Sequence, residues 1–159
     1  MKKLLILFIF LIYKICFSFE YEIQTHAKRT VIKTIPISNS EKYISFILEG
    51  TWTDNLGNYG TMQQSSFVIL DNTNVIELDG YGKTVYQNNQ ETYFRGYRSR
   101  QEKDSGVGET KIINSTKELS SLIGMKCPYA VNFFDNNAYA FAKCKITKEQ
   151  KEVLSKISQ

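Results

Sequence analysis

Histidine, cysteine and tryptophan are scarce in this chain of 159 residues, which has one histidine, three cysteines and one tryptophan. A hydrolytic triad could use a single histidine, but His26 stands in no such pattern, and a histidine-rich metal site needs several. No Cys-x-x-Cys spacing is present, which argues against thiol redox catalysis. We therefore expect no catalytic residue set, no metal site and no cofactor.

The first residues have the pattern of a secretory signal. The basic start Met1-Lys2-Lys3 precedes an apolar run from Leu4 to Tyr13, which Lys14 interrupts. A membrane anchor needs about 20 apolar residues, so the run favours a cleaved signal over an anchor. We expect cleavage into a signal peptide of residues 1–18 and a mature domain of residues 19–159.

Cys16 raises the alternative of a lipoprotein. Lipidation signals have a small residue just before the cysteine, whereas Lys14 and Ile15 stand before this one. Simple cleavage is therefore favoured. The mature chain then has no integral membrane segment, and we expect it in the periplasm or secreted.

The charge of the mature chain is nearly balanced. Removing the leader removes three of the 20 basic residues and none of the 16 acidic ones, so the net charge falls from +4 to +1. This balance gives no electrostatic reason for binding nucleic acid or an anionic membrane. We expect no nucleic-acid partner.

Cys127 and Cys144, the two cysteines of the mature chain, predict a disulfide across a hairpin. Two alternating runs between them flank the turn signal Asp135-Asn136. A two-residue turn there places Cys127 opposite Cys144 in a non-hydrogen-bonded pair, where the Cα separation of about 4.5 Å suits a disulfide. Pro128 cannot donate to the ladder, so we expect a bulge or the ladder's end there. The same register sets large against small residues: Tyr129, Val131 and Phe133 against Ala142, Ala140 and Ala138.

Short strand-like runs recur along the rest of the mature chain. They cover residues 19–26, 30–37, 43–53, 59–70, 75–81, 91–100 and 109–114. This pattern predicts an all-β fold, a single antiparallel domain. Ile76 and Leu78 alternate with Glu77 and Asp79, which places the two apolar residues on one face.

Residues 43–53 show the clearest alternation. Their inward face carries Ile44, Phe46, Leu48, Gly50 and Trp52. We expect Trp52 to be buried in the core.

Two helices are expected between or after strands. Ser115-Thr116-Lys117-Glu118 and Thr147-Lys148-Glu149-Gln150 have the capping-box pattern. They predict a short helix near 116–123 and a C-terminal helix near 148–157. Gly124 suits the position after the first helix, where the backbone turns left-handed.

Gly50-Thr51-Trp52 resembles the Gly-x-Trp pattern of the calycins, the lipocalin and avidin barrels. The segment 106–124, with its glycines, is similar to part of the allene oxide cyclase and dirigent barrels. Both resemblances imply a single antiparallel closed β-barrel of about eight strands, and the first implies that Trp52 closes one end of it. Together with the leader, they make us expect an exported bacterial protein. Trp52 is the only tryptophan, so the tryptophan box of the avidins is missing. The threonine-aspartate-tyrosine signature of the lipocalins is also absent, and no catalytic residue of a cyclase is carried over.

The segment from Tyr93 to Arg100 is the candidate ligand site. Alternation places Tyr93, Arg95 and Tyr97 on one face of the strand, and Phe94, Gly96, Arg98 and Arg100 on the other. Arginine beside tyrosine can hold a carboxylate or phosphate while the rings cover its apolar part. The candidate ligand-binding residues are Tyr93, Arg95, Tyr97 and Arg98. The alternative is an outer surface on which arginine stems lie against tyrosine rings.

The expected function is binding of a small apolar, amphipathic or anionic molecule inside the barrel. Two alternatives remain: an isomerase or cyclase resembling allene oxide cyclase, and a structural envelope protein whose barrel is filled. A cavity of about 300 Å³ or more would favour binding, and a filled interior would favour the structural alternative.

Overall fold

A computed structural model describes residues 18–72, 74–102 and 105–158, with side chains other than those of 99–102. The predicted signal peptide lies outside the described residues, except for its last position. Eight strands are present: β1 Phe19–Pro36, β2 Glu41–Asp54, β3 Tyr59–Asp71, β4 Asn74–Tyr86, β5 Glu91–Glu102, β6 Ser105–Ser115, β7 Lys126–Phe134 and β8 Asn137–Ile146. A 3₁₀ helix, Lys117–Leu122, lies between β6 and β7, and helix α1, Lys148–Ser155, follows β8.

The strands form one closed barrel. Each strand pairs antiparallel with the next, and β8 pairs back with β1. The predicted all-β fold is therefore confirmed, and the barrel has the calycin-like form that the resemblances implied. Neither described helix is long and apolar enough to cross a membrane.

Bulges in β1 and β4 make these two strands differ from what the sequence predicted. The runs 19–26 and 30–37 are one strand, β1, whose register with β2 shifts between Val31 and Lys33. In β4 the register shifts so that Leu70 pairs with Val75 and Ile69 with Glu77. Ile76 is the extra residue and is exposed, whereas Leu78 is buried. The prediction that Ile76 and Leu78 share a face was wrong because a bulge interrupts the alternation.

The β7–β8 hairpin has the predicted register. Phe134 pairs with Asn137 and Tyr129 with Ala142, and Asp135 in the turn has a φ of 52°. Cys127 and Cys144 form the disulfide, with their Cα atoms 4.4 Å apart. The ladder between β7 and β8 begins at Tyr129, so Pro128 stands just outside it, as expected for a residue without an N–H.

The two helices differ in how they begin. At α1 the predicted capping box is confirmed, since Gln150 N donates to Thr147 Oγ1 at 3.2 Å and Thr147 N donates to Gln150 Oε1 at 2.9 Å. At the 3₁₀ helix no side chain caps the start. The Thr116 hydroxyl instead accepts a hydrogen bond from Glu91 N, so the first predicted capping box was wrong. Gly124 has the expected positive φ of 90°.

The two helices cover one end of the barrel. Leu119 and Leu122 of the 3₁₀ helix and Leu154 of α1 are fully buried there. Asn58, in the β2–β3 turn, donates to the carbonyl oxygen of Leu154 at 3.1 Å, which ties α1 to the barrel. The β1–β2 and β7–β8 connections lie at the other end.

Candidate ligand cavity

The inner faces of the eight strands line a cavity of about 150 Å³. This is about half the volume that would have favoured a ligand of typical size, yet the interior is not filled. A cavity of about 150 Å³ lined by aliphatic and aromatic side chains is known to hold benzene. The space therefore suits a molecule built around a single ring or a short branched chain.

Small residues create this space. Ala138, Ala140 and Ala142 of β8 pair with larger residues of the neighbouring strand β7, and all three alanines line the cavity. Gly96 of β5 also lines it. A Cβ at Gly96 would meet its nearest neighbours, Gln64 Nε2 and Thr110 Cγ2, at 3.5 and 3.6 Å, which are ordinary contacts.

Arg98 is the only formally charged residue among the described residues that line the cavity. It is 3% exposed, and its guanidinium carbon lies 6.0 Å from the centre of the Phe133 ring. Phe133 lies two residues before the β7–β8 turn, so Arg98 occupies the end of the cavity away from the helices. Burial raises the pKa of the Tyr129 hydroxyl, and the positive charge of Arg98 opposes part of that rise.

Apolar side chains and a few hydroxyl and amide groups make up the rest of the lining. Gln64 and Ser66 of β3 are both buried, and Gln64 Nε2 donates to Ser66 Oγ at 2.8 Å. Gly80 of β4 permits this pair, because a Cβ there would lie 2.0 Å from Ser66 Oγ. The apolar lining includes Phe46, Leu48, Trp52, Met62, Leu78, Phe94, Ile112 and Val131.

Two buried tyrosines stand at the helix end of the cavity. Tyr21 donates from its hydroxyl to Asp54 Oδ2 at 2.7 Å, and Asn58 Nδ2 donates to the same oxygen at 2.8 Å. Tyr86 lies beside the hydroxyl groups of Tyr21 and Thr92. Burial raises the pKa of both tyrosines above the ordinary value for a phenol.

These raised pKa values predict a loss of stability in alkali. Because the folded pKa of Tyr86 lies above its unfolded value, its contribution is complete below about pH 10 and is lost as the pH rises further. The free energy of unfolding should fall by about 1.4 kcal/mol per pH unit for each such phenol. Urea unfolding between pH 8 and 12 should show a shallower alkaline slope in Tyr86→Phe than in the wild type. Equal slopes in the two proteins would contradict the assignment.

The structure divides the four candidate residues predicted from the sequence. Tyr93, Arg95 and Tyr97 lie together on the outer face of β5, and Arg98 lies on the inner face, in the cavity. Arg95 Nε donates to both carboxylate oxygens of Asp79, at 3.0 and 3.1 Å. Its guanidinium carbon is 6.0 Å from the ring centre of Tyr81 and 5.9 Å from that of Tyr97.

The outer residues therefore find their partners within the chain. Tyr93 donates its hydroxyl to Glu91, and Tyr97 donates to Glu109 Oε1 at 3.4 Å. The fork of Arg95, which could hold an external carboxylate, holds that of Asp79 instead. Of the four candidates, only Arg98 lines the cavity.

Gln64, Tyr86 and Gly96 line the cavity but were not singled out from the sequence. A signal for Gln64 was available, since it lies at the same parity as Met62, Val68 and Leu70 in β3. A polar residue at an inward position of an apolar strand face indicates either a buried hydrogen bond or a ligand contact.

Within the described ranges, no three histidine, cysteine, aspartate or glutamate side chains are grouped as a metal site requires. His26 is exposed on the outer face of β1, in an edge contact with the Tyr139 ring. No protein-family model matches the sequence, and a search of the curated proteins finds no match.

Proposed function

We propose that this protein is an exported β-barrel that binds a small, mainly apolar molecule in its interior. The observation that carries the proposal is the cavity of about 150 Å³ with its predominantly apolar lining. Ligand sites have this composition, with a few polar groups that fix the orientation of the ligand. The volume limits the ligand to about the size of a substituted benzene ring.

The cost of an empty cavity favours binding over a purely structural role. Unfilled apolar volume in a core lowers the free energy of unfolding. Larger side chains at Gly96 or at the alanines of β8 would remove that cost. A barrel with no ligand would gain stability from such residues, whereas a binding protein needs the space.

The proposed export rests on two features. The leader has the pattern of a cleaved signal, and the barrel contains the Cys127–Cys144 disulfide. Disulfides persist in oxidising compartments such as the periplasm and the extracellular medium. The isomerase or cyclase alternative would add a reaction at the same cavity.

Native mass spectrometry of protein taken from the periplasm or the medium tests the proposal. The wild type should have the mass of a chain that begins at Phe19 and should carry a retained small molecule. Gly96→Ala should weaken the binding of that molecule, or of added benzene, about tenfold, because one extra methyl group enters the cavity. Ser65→Ala, on the exposed face of β3, is the matched control and should bind as the wild type does.

Two results would count against the proposal. A wild type that neither retains a molecule nor takes up benzene would show that the cavity is not a binding site. Equal binding by the wild type and Gly96→Ala would place the molecule elsewhere on the protein. Conversion of the retained molecule into an isomer on incubation with the protein would favour the isomerase or cyclase alternative.

A further inference from the structure

Gln64 places a buried amide group in the wall of the cavity. It lies on the inward face of β3, at the same parity as Met62 and Val68, and it is 9% exposed. An apolar side chain of similar size would fill this position without the cost of removing an amide from water. A polar group at such a position needs a partner, either within the chain or in a ligand.

The chain satisfies only part of this amide. Gln64 Nε2 donates to Ser66 Oγ at 2.8 Å, which holds the group in one orientation. Among the described residues, no side chain or backbone group donates to Gln64 Oε1. Other polar groups of the lining are bonded within the chain: the Thr84 and Thr92 hydroxyl groups bond each other, and Thr110 Oγ1 donates to a backbone carbonyl of β7 at 3.3 Å. The oxygen of Gln64 is therefore an acceptor that a ligand in the cavity can satisfy.

Glycines of the neighbouring strands leave space around the amide. A Cβ at Gly80 would lie 2.8 Å from Gln64 Nε2, too close for an ordinary contact, and one at Gly82 would lie 3.0 Å from Gln64 Cβ. Gly96, which lines the cavity, would bring a Cβ to 3.5 Å from the same nitrogen. These positions of β4 and β5 thus carry no side chain that would cover the amide, and a ligand can reach it.

We propose that the ligand of this cavity is a small alcohol or phenol, an apolar body with one hydroxyl group that donates to Gln64 Oε1. The proposal rests on the proposed binding function and specifies its ligand class. A hydroxyl group supplies one donor, which matches one acceptor in the wall. The cavity of about 150 Å³ leaves room for about one ring beside that group.

Phenol and fluorobenzene are suitable probes because they have nearly the same size and only phenol donates a hydrogen bond. At pH 7 phenol is uncharged, since the pKa of a phenol is about 10. A wholly apolar cavity would bind fluorobenzene more tightly, because the hydroxyl group would lose its hydrogen bonds to water without replacement. Titration calorimetry with the wild-type protein should instead show that phenol binds at least as tightly as fluorobenzene. Weaker binding of phenol would overturn the hydroxyl assignment and leave the proposed binding function standing.

Substitutions locate the hydroxyl group, while the wild-type comparison does not depend on whether a variant folds. Gln64→Leu should weaken phenol binding about tenfold and leave fluorobenzene binding unchanged, because the donor then has no acceptor. Gln63→Leu is the matched control, the same substitution on the exposed face of β3, and it should bind both probes as the wild type does.

Tyr129→Phe tests a second place for the hydroxyl group, since Tyr129 also lines the cavity. Phenol should bind this variant as it binds the wild type. Phenol affinity that survives Gln64→Leu, or that is lost in Tyr129→Phe instead, would overturn the assignment to Gln64.

Failure of the proposed function has a different signature. In that case neither phenol, fluorobenzene nor benzene binds the wild type, and protein taken from its own compartment retains no molecule. That result would set aside both the binding function and the ligand class.

Discussion

Trp52→Ala is expected to lower the free energy of unfolding by about 3 to 5 kcal/mol, through lost burial and the cavity left behind. The indole is 3% exposed, and its ring centre lies 4.7 Å from that of Tyr86 in an edge contact. Its Nε1 donates to the carbonyl oxygen of Thr61 at 3.1 Å, so the variant also removes this hydrogen bond. Urea unfolding followed by circular dichroism would measure the loss.

Trp52→Phe is the matched variant for this substitution. It keeps an aromatic ring beside Tyr86 but cannot donate to Thr61, so its loss of stability should be smaller. As the only tryptophan, Trp52 also reports its own surroundings, and the native emission should lie to the blue of an exposed indole. Red-shifted emission that iodide quenches readily would show an exposed Trp52 and contradict the inward face of β2.

The second large effect is expected on removing the disulfide. Cys127→Ala/Cys144→Ala should lower the free energy of unfolding by about 3 kcal/mol, on the chain-entropy model for a loop of this length. The two cysteines are 17 residues apart and both are buried, so the bond closes the β7–β8 hairpin from the inside. Urea unfolding of the double variant and of the wild type would measure the difference.

Wild-type protein unfolded in a reducing agent serves as the control, and it should lose about as much stability as the double variant. Thiol labelling gives an independent check on the pairing. In the folded, non-reduced protein neither Cys127 nor Cys144 should react. Ready labelling of both would contradict the disulfide.

Much of the barrel follows from local patterns in the sequence. The alternation in β2 placed Phe46, Leu48 and Trp52 on one face, and the Asp135-Asn136 turn set the register that brings Cys127 to Cys144. These features depend on neighbours along the chain or directly across a hairpin. They are therefore visible without knowledge of the rest of the fold.

Other features depend on contacts between distant segments. The bulges at Ile32 and Ile76 adjust the strands to their neighbours, and no turn residue marks them. The cavity depends on how side chains from all eight strands fill the interior together. Alternation separated Arg98 from Arg95, but both faces of β5 carry aromatic and arginine side chains, so the pattern could not show which face is inside.

The bulge at Ile32 also helps to keep the protein from pairing with itself. Beyond Arg29, β1 continues past the β7–β8 turn, and of the described strands only β2 pairs with it there. Val31, Ile32 and Ile35 are exposed along this edge, which would otherwise be a template for a strand of another molecule. The bulge breaks the regular spacing of its backbone groups, while Lys33 adds a charge and Pro36 lacks an N–H. Each of these features makes the edge a poorer template for a strand of another molecule.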